Sequence, residues 1–203
     1  MPPEGDIGAV VLAAGASRRF GEENKLLATI DGRSLLERVI EALAGGGVAQ
    51  TVVVTGWDRE AVEGVVAKRD VHLAHNAAWE AGMGGSIGVG IAASGPAIAG
   101  ALVVPGDMPL LTTGVVAALL AAFEQCGRDR VVYPVTTSGA QRNPVLWPRR
   151  FFADLQALPP AAGAKALLAQ LPASDRVALP VDDEGAFFDI DTPTDLAAVR
   201  GRG

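Results

Sequence analysis

A stretch near the start of the chain combines small residues with basic side chains. Residues 7–12 form an uninterrupted apolar run, typical of a buried parallel strand, and the loop that follows contains Arg19 and Lys25. Small residues let backbone N–H groups approach an anion closely, and the cations neutralise its charge. The loop has neither the G-x-G-x-x-G spacing of a dinucleotide site nor a P-loop, because Gly21 is followed by Glu22. The residue types therefore predict a polyanion-binding loop of another kind.

Acidic residues in two later segments are the second candidate for chemistry. Asp107 follows the apolar run 101–104, and a carboxylate just beyond the C-terminal end of a buried parallel strand lies on the binding edge of such a sheet. Two threonines ahead of the next helix can cap it, which frees Asp107 from that role. Asp189 and Asp191 are two residues apart, so an extended segment presents both carboxylates on one face.

Alternating strand and helix patterns position these segments. Ser34 and Glu37 form a capping box ahead of an apolar helical stripe, which three glycines at 45–47 end. The other predicted strands cover 51–55, 71–74, 101–104, 131–135, 141–147 and 176–180. The other predicted helices cover 58–67, 112–123, 149–157 and 164–171. Two more helices are predicted to begin at Ser86 and at Thr192-Pro193. Pro144 favours an edge position for strand 141–147. The β-α-β-α-β order predicts an α/β fold, Rossmann-like, with a doubly wound, mostly parallel sheet.

Length and charge restrict the class of protein. The chain has 203 residues and a formal net charge of −6, so we expect one domain over residues 1–203 without general affinity for nucleic acid. No apolar run is long enough to span a bilayer, and acidic rather than basic residues precede the first strand. A single cysteine excludes an internal disulfide. We therefore expect a cytoplasmic protein without nucleic-acid or membrane partners.

The first loop resembles the signature loop of a known family of nucleotidyltransferases. The matching residues are Leu12-Ala13-Ala14-Gly15-x-Ser17-x-Arg19-Phe20-Gly21 and Asn24-Lys25-Leu26-Leu27. They resemble the molybdenum cofactor cytidylyltransferases and the wider MobA-like NTP transferase family, whose single domain has the nucleotide-diphospho-sugar transferase fold. The resemblance implies that this loop binds the triphosphate of a nucleotide, with Arg19 and Lys25 on the phosphates. It leaves the role of Arg18 open.

Three further segments resemble motifs of the same family. Asn76-x-x-Trp79-x-x-Gly82-Met83-x-x-Ser86 is similar to the motif near the base and ribose, Gly106-Asp107-Met108-Pro109 to the metal-binding turn, and Asp189-Ile190-Asp191-Thr192-Pro193 to the second acidic motif. The resemblance implies Mg²⁺ bound by Asp107 and Asp191, since Mg²⁺ prefers one or two carboxylates with phosphate oxygens and waters. Asp189 either assists Asp191 or caps the last helix. We expect Trp79 to pack in the core, as tryptophans mostly do.

The resemblance assigns roles residue by residue. The implied catalytic residues are Lys25, Arg19 and Asp107. The implied nucleotide-binding residues are Leu12, Ala13, Ala14, Gly15, Ser17, Arg19, Lys25, Asn76, Gly82, Ser86 and Asp107. Asn143 is the implied acceptor-binding residue, in a segment similar to one near the acceptor. That segment has Gln141-Arg142 where relatives often have Gly, and residues 159–165 lack the aspartate of a Gly-Asp-x-Gly stretch, so the acceptor stays open.

The activity implied is transfer of a cytidylyl group from CTP to molybdopterin, with release of pyrophosphate. Relatives with Leu-Ala-Ala-Gly in the first loop tend to use CTP, and those with Leu-Ala-Gly-Gly tend to use GTP, so Ala14 favours CTP. A molybdoenzyme or cofactor-chaperone partner belongs to the same implied context. One alternative is a guanylyl- or cytidylyltransferase for methylerythritol phosphate or a sugar phosphate. The other, a non-catalytic cofactor-binding or regulatory module, is disfavoured because Lys25 and both aspartates are present.

Overall fold

The computed structural model describes residues 5–200, so the first four and last three residues of the expected domain lie outside it. The strands are β1 (Asp6–Ala13), β2 (Thr29–Ile30), β3 (Arg33–Ser34), β4 (Gln50–Thr55), β5 (His72–His75), β6 (Ile98–Pro105), β7 (Val131–Val135), β8 (Val145–Pro148) and β9 (Arg176–Pro180). The helices are α1 (Leu35–Gly45), α2 (Arg59–Val66), α3 (Met83–Ala93), α4 (Thr113–Gln125), α5 (Phe152–Gln156), α6 (Ala164–Gln170) and α7 (Pro193–Arg200).

Seven of these strands form one mostly parallel sheet in the order β5-β4-β1-β6-β8-β7-β9, while β2 and β3 pair separately. β1 is parallel to both β4 and β6, and β8 runs antiparallel to β6 and β7. The chain builds outward from β1 to β4 and β5 and then crosses to β6 on the other side. The strand order therefore reverses between β1 and β6, and such a switch point leaves a crevice at the carboxyl ends of the two strands. The α/β, doubly wound prediction is confirmed.

Two apolar layers cover the two faces of the sheet. Val11 and Ala13 of β1 belong to the core formed with α1, α2 and α4, whereas Val10 belongs to the core formed with α3, α5 and α6. This alternation follows from the two-residue period of a strand, which sends successive side chains to opposite faces. A third, smaller cluster joins Leu35 to Leu196 and Val199 of the last helix. The predicted capping box of Ser34 and Glu37 at the start of α1 is also present.

Two local predictions are wrong. The third helix begins at Met83 and not at Ser86, because Gly82, at a φ of 127°, turns the chain into the helix three residues earlier. Strand β8 lies between β6 and β7, not at a sheet edge. Pro144 comes before the first residue of that strand, so its missing N–H interrupts no bond of the ladder.

Candidate active site

The first loop folds back on itself and brings Lys25 to the end of β1. Ser17 has a left-handed backbone (φ 51°), and its Oγ accepts a hydrogen bond from the Lys25 N–H at 3.2 Å. Asn24 Oδ1 accepts from the Leu26 N–H at 3.1 Å and so starts a short 3₁₀ turn at Lys25–Leu27. These side chains satisfy backbone donors at the turn, which fixes where the Lys25 side chain leaves the loop.

Two backbone hydrogen bonds bring the acidic segments to the same place. The Gly106 N–H donates to the Leu12 carbonyl at 3.0 Å, which continues the pairing of β1 with β6 past the end of β6. The Ile190 N–H donates to the Asp107 carbonyl at 3.0 Å and ties the 189–191 segment to that strand end. Asp107 and Asp191, 84 positions apart in sequence numbering, thus meet at the switch point of the sheet.

The start of the last helix anchors the second acidic segment. The Asp195 carboxylate accepts from the N–H groups of Asp191 (3.1 Å) and Thr192 (2.8 Å), while Thr192 Oγ1 accepts from the Asp195 N–H. The Thr192 hydroxyl also donates to this carboxylate at 2.8 Å. This bond, with those from the two backbone N–H groups, lowers the pKa of Asp195, so the group stays ionised at neutral pH. The predicted helix start at Thr192 and Pro193 is confirmed, and the cap carboxylate also fixes the backbone of Asp191.

Lys25 and Arg19 converge on these carboxylates. Lys25 Nζ lies 2.5 Å from Asp107 Oδ2 and 3.0 Å from Asp191 Oδ1, and Arg19 Nη2 lies 2.9 Å from the same Asp191 oxygen. Burial alone would lower the pKa of Lys25, but the charge of Asp107 and the hydrogen bonds to both aspartates outweigh it and raise that pKa. Lys25 is therefore positively charged at neutral pH. Arg19 is 73% exposed, so its guanidinium is free to turn toward an incoming anion.

The two aspartates fit a divalent cation. Asp107 Oδ1 is buried and has no hydrogen-bond partner among residues 5–200, so one lone-pair site of this carboxylate is unused. An unused buried carboxylate oxygen is the donor that Mg²⁺ or Mn²⁺ takes, and Asp191 supplies a second. Within the described residues no group of three or more His, Cys, Asp and Glu side chains has the arrangement of a metal site. The remaining ligands would have to be phosphate oxygens and waters, as Mg²⁺ prefers.

Asp189, two residues before Asp191, has a carboxyl group whose pKa is raised. Its partial removal from water in the wall of the site, together with the charges of Asp107 and Asp191, raises its pKa to about 6. The residue still keeps more than a third of its surface exposed, so water screens its charge in part. Thr192 and Asp195 form the capping box of the last helix, so Asp189 does not cap it.

These groups line a cavity of about 560 Å³ at the switch point, here called the first cavity. Its wall contains the predicted residues Leu12, Ala14, Gly15, Ser17, Arg19, Lys25, Gly82, Ser86, Asp107, Asn143 and Asp191. Arg18 and Asp189 also line it. Two predicted nucleotide-binding residues lie elsewhere. Ala13 is fully buried in the core, on the other face of β1, and buried Asn76 donates from Nδ2 to Ser86 Oγ at 3.0 Å.

The expectation that Trp79 packs in the core is wrong. It is half-buried and lines the first cavity beside Glu80 and Gly82, so it does not pack in the core. The 3₁₀ turn Trp79–Ala81 carries it there. Ala14 lies beside Trp79, because both side chains pack against Gly56. A methyl group added to Gly56 would meet Trp79 Cβ at 2.6 Å and Ala14 Cβ at 2.8 Å. Met83, 54% exposed, is a second wall residue that the sequence reasoning did not single out, although its exposed apolar side chain is a signal for ligand contact.

Comparison with known families places the fold and site in one class. Residues 9–177 match the MobA-like NTP transferase domain. The chain belongs to this family, which is a family of nucleotidyltransferase enzymes. The matched region includes the first loop and Asp107, whereas Asp189 and Asp191 lie beyond it.

Curated relatives are similar over part of the chain. The bifunctional protein GlmU of Mycolicibacterium vanbaalenii is 37% identical over 127 residues, which are 59% of this chain and 26% of that protein. Nicotine blue oxidoreductase of Paenarthrobacter nicotinovorans is 36% identical over 85 residues, 42% of either chain. The chain therefore spans about a quarter of the GlmU protein and less than half of the oxidoreductase.

Solved structures are similar over nearly the whole chain. Rv0371c from Mycobacterium tuberculosis H37Rv superposes with a TM-score of 0.82 at 21% identity and covers 98% of this chain and 99% of its own. Its complex with manganese gives 0.79 at 19% identity, covering 98% and 100%. CMP:2-keto-3-deoxy-manno-octonic acid synthetase with CTP gives 0.75 at 18% identity, covering 97% and 98%. These likenesses establish the fold. The described residues include no helix long and apolar enough to cross a membrane.

Proposed function

We propose that this protein transfers the cytidylyl group of CTP to the terminal phosphate of molybdopterin, with release of pyrophosphate. The observation that carries the proposal is the convergence of Lys25 and Arg19 on Asp107 and Asp191 at the switch point of the sheet. Two cations beside a small-residue loop are suited to a triphosphate, and two acids beside them are suited to a divalent cation. Family membership supports the reaction type, and the choice of CTP and of the pterin is part of the proposal.

The reaction is an in-line displacement at the α-phosphorus. An oxygen of the acceptor phosphate forms a bond to the α-phosphorus of CTP. The bond from that phosphorus to the oxygen bridging the α- and β-phosphates breaks, and its electron pair leaves with pyrophosphate. A phosphate monoester is ionised at neutral pH, so no general base is required. Catalysis then consists of positioning and charge neutralisation.

The residues of the chain divide this work. Lys25 is fixed by the first loop, and its raised pKa keeps it charged, so it neutralises the phosphates throughout the reaction. Arg19 releases Asp191 and binds the departing pyrophosphate, which the exposure of its side chain permits. Asp107 and Asp191 would hold Mg²⁺, which supplies charge neutralisation at phosphate oxygens when it is bound. The manganese complex of Rv0371c supports a divalent metal in this fold.

The first cavity also supports a preference for a pyrimidine base. Ala14 is only 5% exposed, and its carbonyl accepts from the Trp57 N–H at 3.1 Å, so the backbone at this position is held in place. Its methyl group and Trp79 narrow the same part of the wall. A two-ring base needs more room there than cytosine does. The CTP complex of the synthetase of the same fold supports this choice.

The experiment that tests the proposal is a product analysis. The full chain is incubated with Mg²⁺, molybdopterin and each of CTP, GTP, ATP and UTP in turn, and pyrophosphate release and product mass are measured. We expect pyrophosphate and a molybdopterin cytosine dinucleotide with CTP, and less product with the other nucleotides. More product with GTP than with CTP would refute the base assignment.

The same assay also tests two other acceptors and one other activity. Replacing molybdopterin with methylerythritol phosphate or a hexose phosphate tests the alternative acceptors, and faster turnover with either refutes the pterin. One relative is named an oxidoreductase. Nucleotidyl transfer releases pyrophosphate and oxidation-reduction does not, so an absence of pyrophosphate with every nucleotide and acceptor refutes transferase activity.

A further inference from the structure

Strand β5 forms one edge of the seven-stranded sheet and pairs, in the described part of the chain, with β4 alone. The Asn76 N–H donates to the Thr55 carbonyl at 2.8 Å, so the backbone of Asn76 faces β4. Along a strand the N–H and C=O groups of successive residues point to opposite sides. The backbone of Ala74 therefore also faces β4, whereas the N–H and C=O groups of Leu73 and His75 point away from the sheet. These two residues carry the open hydrogen-bonding groups of the edge.

The side chains along this edge include no strongly charged group. Residues 71–79 contain no Asp, Glu, Lys or Arg, although these four types make up 20% of the whole chain. His72, Leu73 and His75 are exposed, and Leu73 keeps 47% of its surface. Proteins usually protect an exposed strand edge with charged side chains, a proline or a bulge. Strand β5 itself contains none of these protections, so its edge is open to a further strand.

The opposite edge of the sheet is protected. Strand β9 begins with Arg176 and ends with Pro180, whose ring removes a backbone donor. The exposed acidic residues Asp182, Asp183 and Glu184 follow within a few positions. A charge, a proline and an acidic run all oppose the addition of a strand at β9. The two edges therefore differ, and β5 is the one that can pair with another chain.

A second copy of the same chain matches this edge. Two molecules with a formal net charge of −6 repel each other, and the segment 71–79 lets them approach without bringing like charges into contact. An antiparallel copy, related by a twofold axis through Ala74, places Leu73 of each copy opposite His75 of the other. Each outward N–H then meets an outward carbonyl. Both open edges are used in this pairing, so association stops at the dimer.

We propose that two copies of this chain associate through antiparallel pairing of β5 and so join their sheets into one. The exposed Leu73 side chain of each copy packs against the His75 ring of the other, on the face opposite Ala74. The parallel strands of the two copies run in opposite directions, so the two first cavities open at opposite edges of the joined sheet. A pair of four-residue strands buries little area, so we expect a weak dimer, with a Kd of about 10–100 µM. Association of this kind does not depend on the reaction that the protein catalyses.

Sedimentation velocity of the full chain measures the association. Between about 2 and about 200 µM the sedimentation coefficient should rise from that of a monomer toward that of a dimer. Leu73→Lys puts a charge on the pairing edge and should raise the Kd about tenfold. The matched control is Ala169→Lys, which adds the same charge at an exposed position of α6 and should leave the Kd unchanged. A wild-type chain that stays monomeric over this range, or equal Kd values for the two variants, would overturn the proposal.

Disulfide trapping tests the register of the two strands. In a Cys126→Ser background, which removes the native thiol, Ala74→Cys places two thiols at the twofold axis. The Cα atoms of such a non-hydrogen-bonded pair lie about 4.5 Å apart, within reach of a disulfide, so mild oxidation should give a cross-linked dimer. Leu73→Cys is the matched control, because its own counterpart lies diagonally, about 7–8 Å away. Equal cross-linking of the two variants, cross-linking of Leu73→Cys alone, or no cross-linking of either would overturn the proposed pairing.

Discussion

Lys25 and Asp107 form an ion pair of 2.5 Å across 82 positions of sequence. Both side chains are largely enclosed, at 15% and 16% exposure. Lys25 also reaches Asp191, so its ammonium group lies between the two carboxylates that would bind a metal. Binding of a metal–nucleotide complex would therefore exchange partners. The Lys25 ammonium would then pair with phosphate, and Asp107 and Asp191 would hold the metal.

The first prediction concerns turnover. Lys25→Met and Asp107→Asn should each lower kcat by on the order of 10²- to 10³-fold, because each removes a charge that the transition state needs. The measurement is pyrophosphate release with CTP and acceptor at saturation. Lys68→Met serves as a control, since Lys68 is an exposed lysine outside the first cavity. Circular dichroism checks that the variants are folded. Near-normal turnover of either site variant would contradict the mechanism.

The second prediction follows from the position of the Lys25 ammonium group. Lys25→Met leaves Asp107, Asp189 and Asp191 without their shared cation, so the variant should bind Mn²⁺ more tightly than the wild type when no nucleotide is present. Electron paramagnetic resonance of free Mn²⁺ measures this affinity. We expect the Kd to fall about tenfold, and the double variant Lys25→Met/Asp107→Asn to lose the gain. Equal affinity of wild type and Lys25→Met would mean that lysine and metal do not compete.

The sequence was sufficient for features set by local pattern. Three such features are the capping box at Ser34, the helix start at Thr192 and the apolar strand β1. Each depends on a few neighbouring residues, and the structure contains all three. The placement of β8 and the position of Trp79 depend on packing between distant segments, which residue types alone do not specify. The carboxylates could be recognised, but their spacing around Lys25 could not.

Asp189 gives the third prediction, a pH dependence of stability. Its pKa is about 6 in the folded protein against an ordinary 3.8, so the folded state binds the proton more tightly between these values. The free energy of unfolding therefore falls as the pH rises through that window. Asp189→Asn removes this loss, so its stability gain over the wild type should be larger at about pH 7.5 than at about pH 4. Urea unfolding with a chelator present measures both.

The control for this pH experiment is Asp182→Asn, a change at an exposed aspartate outside the first cavity. Its stability difference from the wild type should not depend on pH in this way. If the stability gain of Asp189→Asn is the same at both pH values, burial and the neighbouring carboxylates do not raise the pKa of Asp189.

Asp195 leads to the fourth prediction, because it positions Asp191 without lying in the wall of the first cavity. Its carboxylate accepts from the Asp191 N–H at 3.1 Å. Asp195→Ala should raise the Mg²⁺ concentration for half-maximal turnover about tenfold, as the loss of a support behind a metal ligand does. The KM for CTP at saturating Mg²⁺ should change less. The neighbouring exposed Thr194→Ala is the control, and an unchanged Mg²⁺ requirement in Asp195→Ala would rule out this positioning role.

The final prediction compares two adjacent glycines in the first turn of α3. A methyl group at Gly84 would lie 2.3 Å from the Pro159 carbonyl oxygen and 2.7 Å from that of Ala162, so the 159–163 segment would have to move. A methyl group at Gly85 would meet only Asn76 Nδ2, at an ordinary 3.5 Å. Gly84→Ala should therefore cost about 1–3 kcal/mol of unfolding free energy, whereas Gly85→Ala should gain up to about 1 kcal/mol from helix propensity.

Urea midpoints of the two glycine variants measure this difference in sign. The displaced segment ends at Gly163, in the wall of a cavity of about 340 Å³. That cavity shares Asn143, the proposed acceptor-binding residue, with the first cavity. Gly84→Ala should therefore also raise the KM for the acceptor more than the KM for CTP, while Gly85→Ala leaves the ratio of the two KM values unchanged. If both variants lower stability equally, the close approach of the 159–163 segment to α3 does not restrict side-chain size at Gly84.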